Sequence, residues 1–248
     1  PVTMNAVKSQ QYRWMKGAAE CNRKLLGSVL TAPGTSVVQK LFGLFHLVSS
    51  SMFGLLLTTS VLSVPVLVIH AQHPDWQAGY RVIELFQSTL LIALFFYGVP
   101  FWRAAVSRQR PANWLRFVCY FPLYAALMLG LSLHNTIAVV EGYMGRKTPF
   151  VRTPKFNVNV ATDRWQGNVY VRQTISWLTA LEGLMGLYFA AGIGLGVYLR
   201  DYQMLAFHSL LVVGYSLVVG YSLAQRWLAP TPQPPVVRRH DALIETPA

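Results

Sequence analysis

Three residues near the start of the chain, Gln10, Arg13 and Trp14, combine side-chain types and spacing suited to chemistry. On a helix, positions 10, 13 and 14 share one face. Arg13 offers a planar fork of donors that matches a diphosphate. Trp14 offers a broad apolar plate of the kind on which sugars stack through their C–H faces. Gln10 adds a neutral donor and acceptor for a hydroxyl or a phosphate oxygen. Together they suit a site that holds a nucleotide diphosphate beside a sugar. The plainer reading is an interfacial helix whose Trp and Arg anchor it at headgroup level.

A second constellation is Thr148-Pro149-Phe150-Val151-Arg152-Thr153-Pro154-Lys155-Phe156. Two prolines restrict its backbone. Arg152 and Lys155 could meet a diphosphate's charge, Thr153 could donate a hydrogen bond, and Phe150 adds an aromatic face. The plainer reading is a basic juxtamembrane loop that binds lipid headgroups.

The elements that must position these residues are membrane helices. Of 248 residues, 53% are hydrophobic and only 12% charged, with mean hydropathy +0.37. Several apolar runs reach the roughly 20 residues that a spanning helix needs. Residues 4–30 read instead as a basic amphipathic helix ended by Pro33-Gly34. Val7, Trp14, Ala18, Cys21 and Leu25 form its apolar stripe, with Arg13, Lys16, Glu20, Arg23 and Lys24 on the other side. Such a helix lies in the membrane interface.

Apolar stretches follow at 41–70, 82–102, 117–140, 173–199 and 203–228. If the third crossed the bilayer, the link holding Arg103, Arg108, Arg110 and Arg116 would oppose the link holding Arg146, Lys147, Arg152, Lys155, Arg164 and Arg172. The positive-inside rule disfavours that. Placing residues 114–142 along the interface removes the conflict. Pro122 is expected to break that run, and Ser132, His134, Asn135 and Glu141 make its second half polar. All of the 21 Lys and Arg residues except Arg81 and Arg200 then face the cytosol.

The expected fold is therefore an all-α membrane protein with about four transmembrane helices and two cytosolic interfacial helices. Residues 1–40 form the first interfacial segment. Residues 41–228 form the transmembrane region, with an interfacial helix at 114–142 and a cytosolic loop at 143–172. The Pro-rich, basic residues 229–248 read as a disordered cytosolic tail. The expected location is an inner or plasma membrane, multi-pass, with both ends cytosolic. The opening Pro-Val-Thr, without Met or signal peptide, reads as the C-terminal part of a longer protein.

The net charge of +12 is distributed between the spans, which argues for lipid contact and against nucleic acid. Cys21 and Cys119 have neither metal nor redox spacing. Among intramembrane polar groups, Glu182 stands out, and with Trp177 or Tyr188 it could line a polymer channel. Its alternative is a pair with a neighbouring helix. The run Gly192-x-Gly194-x-Gly196 lies inside an apolar span and suits close helix packing. Val-Val-Gly-Tyr-Ser-Leu occurs at 212–217 and again at 218–223. Copies six residues apart differ by about 600° of helical rotation and face different directions.

Gln10-x-x-Arg13-Trp14 before the spans, then Phe150-x-x-Thr153-x-Lys155 before the last two, resembles the membrane family-2 glycosyltransferases. These include cellulose synthase, its cellulose-synthase-like relatives and hyaluronan synthase. Asn135-Thr136-x-Ala138-Val139-x-Glu141-Gly142, followed by Phe150 to Lys155, looks closest to the mannan- and glucan-synthase-like branch. The resemblance covers about residues 5–225. It implies that Trp14 stacks on an acceptor sugar while Gln10 and Arg13 help hold the acceptor end and the nucleotide. It places Phe150, Arg152, Thr153 and Lys155 in a gating loop. Arg152 and Phe156 stand where the cellulose-synthase form has Val and Gly.

The resemblance further implies an inverting, processive transfer from a UDP- or GDP-hexose to a growing polysaccharide, a β-glycan that is extended at the cytosolic face and passed through the bilayer. Such a transfer uses a general base and a divalent cation, Mg or Mn. The family supplies both from Asp-rich motifs in an N-terminal catalytic domain. No Asp-x-Asp or Thr-Glu-Asp occurs here, so both are expected outside this segment, which carries no catalytic residue of its own. The alternatives are a non-processive enzyme acting on a lipid or glycoconjugate, and a non-catalytic polytopic transporter or scaffold subunit.

Overall fold

The computed structural model describes residues 3–76, 80–81, 92, 94–103, 111–148 and 176–228. Every regular element among them is helical. In chain order these are α1 (Met4–Thr31), α2 (Val37–Val48), α3 (Met52–Gln72), α4 (Pro111–Gly130), α5 (Ser132–Met144), α6 (Trp177–Leu199) and α7 (Leu205–Leu228). Residues 94–103 are also helical. The loop residues Phe150, Arg152, Thr153 and Lys155 and the tail at 229–248 lie outside the described residues, as does most of the stretch 82–102.

Local chemistry sets the helix ends. Thr3 accepts a hydrogen bond from the Ala6 amide and starts α1. Gly34, at φ 74°, takes the left-handed conformation that turns the chain after it. Ser36 and Gln39 then form a reciprocal capping box at the start of α2. A three-residue 3-10 turn, Ser49–Ser51, joins α2 to α3.

Three segments are long and apolar enough to cross a membrane: Val37–Gln72, Trp177–Leu199 and Leu205–Gln225. A fourth candidate is the α4–α5 pair, bent by 47°. The bend corrects the expected break at Pro122: α4 runs through that proline and ends at Gly130. The turn falls where Gly130 meets Gly214 of α7. A Cβ on Gly130 would fall on the Gly214 carbonyl, and one on Gly214 would fall on the Ala126 carbonyl. Two facing glycines thus let the backbones touch.

The core lies between α3, α4, α6 and α7. Leu129, Phe189, Leu211 and Tyr215 are buried together, with Leu56, Val64 and Met185 packed against them. The Phe189 and Tyr215 rings stack 5.8 Å apart. The repeat in α7 behaves as its spacing requires: Tyr215 is fully buried, whereas Tyr221 is 54% exposed. Of the glycine run, Gly192 and Gly196 are close-packed. A Cβ on Gly192 would lie 2.8 Å from Val64 Cγ2, and one on Gly196 would lie 2.9 Å from the Asp201 carbonyl oxygen. Gly194 has open space. Val37, Phe42, Phe45, Leu184 and Leu187 point outward, as lipid-facing positions do.

The helix ends define two ends of the bundle. At one, the α6–α7 turn meets the end of α3, where His70 Nδ1 and Asp201 Oδ2 lie 2.6 Å apart. Arg200 caps α6 there at φ 57°. Exposed Trp76, Tyr198 and Tyr202 ring this end, as aromatic residues do at a membrane surface. At the other, α1 lies across the start of α6 and the end of α7. The Met4 amide donates to Gln225 Oε1 at 2.7 Å.

Candidate functional site

α5 runs beneath α1 in the same direction. It meets α1 in order at Lys8, Tyr12, Lys16 and Asn22. His134 Nε2 lies 3.0 Å from the Lys8 carbonyl oxygen. The Tyr12 hydroxyl donates to the Glu141 carboxylate. A Cβ on Gly142 would sit 2.7 Å from the Lys16 carbonyl oxygen and 2.8 Å from Ala19 Cβ. Asn22 Nδ2 donates to the Tyr143 hydroxyl at 2.5 Å. The phrase Asn135-Thr136-x-Ala138-Val139-x-Glu141-Gly142 is therefore a docking strip. Asn135, Ala138, Val139 and Gly142 are buried along it.

The side of α1 that faces the protein buries polar residues, Lys8, Lys16 and Asn22, beside the apolar Met4 and Ala19. Lys8 Nζ bonds Glu182 Oε2 of α6 at 2.5 Å; the Glu182 side chain is 0% exposed and that of Lys8 9%. Lys16 Nζ donates to Thr148 Oγ1 at 2.8 Å and lies 4.0 Å from Glu141 Oε2. Arg146 Nη1 reaches Glu141 Oε1 at 3.1 Å. Burial, then the Glu141 hydrogen bond and negative charge, push the Tyr12 hydroxyl up to about 12. This corrects the sequence-based division of α1. Lys16 is buried, because its charge finds Glu141 and Thr148, while Cys21 and Leu25 of the apolar stripe are exposed.

Trp14 is 56% exposed, and Gln10 and Arg13 are half-buried. Tyr12 lies about 200° around the helix from Gln10, with Lys8 and Lys16 about 40° to either side of it. The trio thus projects from the side of α1 opposite the clamped one. The structure brings these three residues onto one face, as the spacing requires.

Glu182, Trp177 and Tyr188 do not converge. Glu182 is enclosed with Lys8, the arrangement its pairing alternative describes. Trp177 is 70% exposed at the start of α6. The Tyr188 hydroxyl donates to the Val61 carbonyl of α3 at 2.7 Å. Near Lys8, Asn135 Oδ1 and Nδ2 and Glu182 Oε1 are buried without a partner among the described residues. Ser132 Oγ and the Tyr215 hydroxyl, 3.1 Å apart, close the polar layer between α5 and α7.

Among the described residues, no three His, Cys, Asp or Glu side chains converge as a metal site. The described residues near α1 offer no carboxylate set that fits a divalent cation. Sequence reasoning missed Lys8, Tyr12, Lys16 and Glu141. Their signal was the four-residue spacing of Lys8, Tyr12 and Lys16, together with two acids, Glu141 and Glu182, lacking any local basic partner upstream on their own helices.

No protein-family model matches the chain, and no solved structure does. A curated relative, glucomannan 4-beta-mannosyltransferase 7 of Arabidopsis thaliana, is 27% identical over 92% of this chain. The chain spans 39% of that relative's length. The relative is a glycosyltransferase, which agrees at that level with the resemblance carried by the motifs.

Proposed function

We propose that this chain is the membrane portion of a glycosyltransferase that extends a β-glycan from a nucleotide sugar and passes the polymer across the bilayer. The observation that carries the reading is the division of α1. Its back is clamped to the bundle, while Gln10, Arg13 and Trp14 occupy the opposite face. Similarity to a mannosyltransferase over nearly the whole chain supports it.

In this reading Trp14 stacks on the acceptor sugar, and Gln10 and Arg13 hold the acceptor end and the nucleotide diphosphate. Phe150, Arg152, Thr153 and Lys155 belong to a loop that closes over the donor. Transfer inverts the anomeric centre, and the base and divalent cation come from a catalytic domain that precedes this chain. The α1 end is cytosolic, with α5 interfacial beneath α1. Arg200, at the opposite end of the bundle, is then one of the two basic residues on the far side.

Membranes containing the complete gene product, incubated with individual UDP- and GDP-hexoses, test this reading. A polymer built from one donor supports it. Transfer of single sugars to lipid supports the non-processive alternative, and no transfer from any donor supports a transporter or scaffold.

A further inference from the structure

The clamp behind α1 includes four side chains to which the reading above assigns no role. Tyr12, Lys16, Glu141 and Thr148 form one connected group. Glu141 accepts from Tyr12 through one oxygen and from Arg146 through the other, at 3.1 Å for the latter. Lys16, with its side chain only 7% exposed, lies 4.0 Å from Glu141 and bonds Thr148 at 2.8 Å. Its ammonium also sits 5.7 Å from the centre of the Tyr12 ring. Three of these contacts, Tyr12–Glu141, Lys16–Thr148 and Lys16–Glu141, link residues more than 120 apart in sequence.

The group has a specific mechanical position. Tyr12 lies between Gln10 and Arg13 in sequence but projects about 160° around the helix from Gln10 and from Trp14 and about 100° from Arg13. A rotation of α1 about its axis moves Gln10, Arg13 and Trp14 together, and Glu141 resists that rotation through Tyr12 from directly behind. Gly142 removes the side chain that would otherwise hold α1 off α5. Lys16 extends the same network to Thr148, so the helix and the chain at 146–148 share one anchor.

We propose that Glu141, with Tyr12 and Lys16, is a positioning residue for the transfer reaction: it sets the angle at which α1 presents Gln10, Arg13 and Trp14. None of the three touches the reacting sugar; they act through α1. This inference rests on the glycosyltransferase reading. A misplacement of about 1 Å at a reacting centre costs as much as 100-fold in rate, so a tilt of α1 is read as a loss of kcat.

The experiment uses the complete gene product in membranes and the donor hexose that supports transfer. Tyr12→Phe deletes one hydroxyl and is the least disruptive probe; Glu141→Ala and Glu141→Gln follow. Tyr12→Phe is expected to lower kcat about tenfold or more with KM changed less than kcat. Glu141→Gln, which keeps an acceptor for Tyr12, recovers part of the loss of Glu141→Ala. The double variant Tyr12→Phe/Glu141→Ala is no worse than Glu141→Ala alone, because both break one path. Amide hydrogen exchange across residues 8–19 rises in each variant, a readout independent of catalysis.

An active wild-type protein whose Tyr12→Phe variant keeps kcat within about twofold, or unchanged exchange in α1, overturns the inference and leaves the glycosyltransferase reading standing. A wild-type protein inactive with every donor sinks that reading and with it the catalytic consequence. If Glu141→Ala does not fold, Tyr12→Phe alone decides.

Discussion

Removing Lys8 is the sharpest perturbation of the way α1 is held. Its ammonium lies 2.5 Å from Glu182 Oε2, and the Glu182 side chain has no exposed surface. The other carboxylate oxygen has no partner among the described residues. Lys8→Met therefore leaves a carboxylate enclosed with no cation. Breaking a buried pair by removing one partner costs about 3–5 kcal/mol, whereas replacing both by apolar groups of similar volume is nearly neutral. At about 2–4 °C per kcal/mol for a unit of this size, the single variant should lose about 6–20 °C in thermal midpoint. Lys8→Met with Glu182→Leu should recover most of that loss. The assay is thermal unfolding of the purified complete protein in detergent, followed by tryptophan fluorescence. A single variant within about 2 °C of wild type, or a double variant worse than the single, would refute the reasoning. In either case the pair would not be the enclosed contact described here.

Other perturbations test other parts of the account. Gly142→Val should destabilise by about 1–3 kcal/mol, because a side chain there meets the Lys16 carbonyl and Ala19. Gly183→Ala, where nothing lies within 4 Å, should stabilise α6 by up to about 1 kcal/mol; the two unfolding midpoints should move in opposite directions. Cys21 and Cys119 are both free and exposed. An impermeant maleimide should label Cys21, on α1, only from the cytosolic side of sealed vesicles, and Arg200→Cys only from the other. The Tyr12 hydroxyl is raised from 10.0 to about 12. A raised pKa means the bonded form contributes stability below pH 10 that is lost as pH rises toward 12. Tyr12→Phe should flatten that alkaline limb of the midpoint-versus-pH curve.

Much of the helical framework was legible from apolar run length and from turn residues. Residues 4–30 were read as one helix closed by Pro33-Gly34, and α1 spans Met4–Thr31. The stretches at 173–199 and 203–228 correspond to α6 and α7 within a few residues. The stretch at 114–142 is helical as its composition implies, but its interruption lies elsewhere. A proline is the expected breaker, but the turn comes at Gly130 and Leu131 rather than Pro122, because backbone contact with Gly214 is a tertiary feature invisible in a local window. The site was legible only on the side of Gln10, Arg13 and Trp14. Gln10, Arg13 and Trp14 share a face by spacing alone. The clamped side depends on partners far away in sequence: Lys8 needs Glu182, and Tyr12 needs Glu141. An amphipathic reading assigns charges such as Lys16 to the side opposite the apolar stripe, and only the fold supplies the acids that bury them. Glu182 shows the same limit: a lone acid in an apolar span marks a place where something must pair with it, without saying what.

On the proposed function, the Gln10, Arg13 and Trp14 face is the acceptor side of a glycosyltransferase. The most direct measurement is polymer formation by the Trp14→Ala variant of the complete protein, assayed in membranes with the competent nucleotide sugar and normalised to inserted protein. Polymer should disappear while insertion is unchanged. Normal polymer yield from well-inserted Trp14→Ala would contradict it.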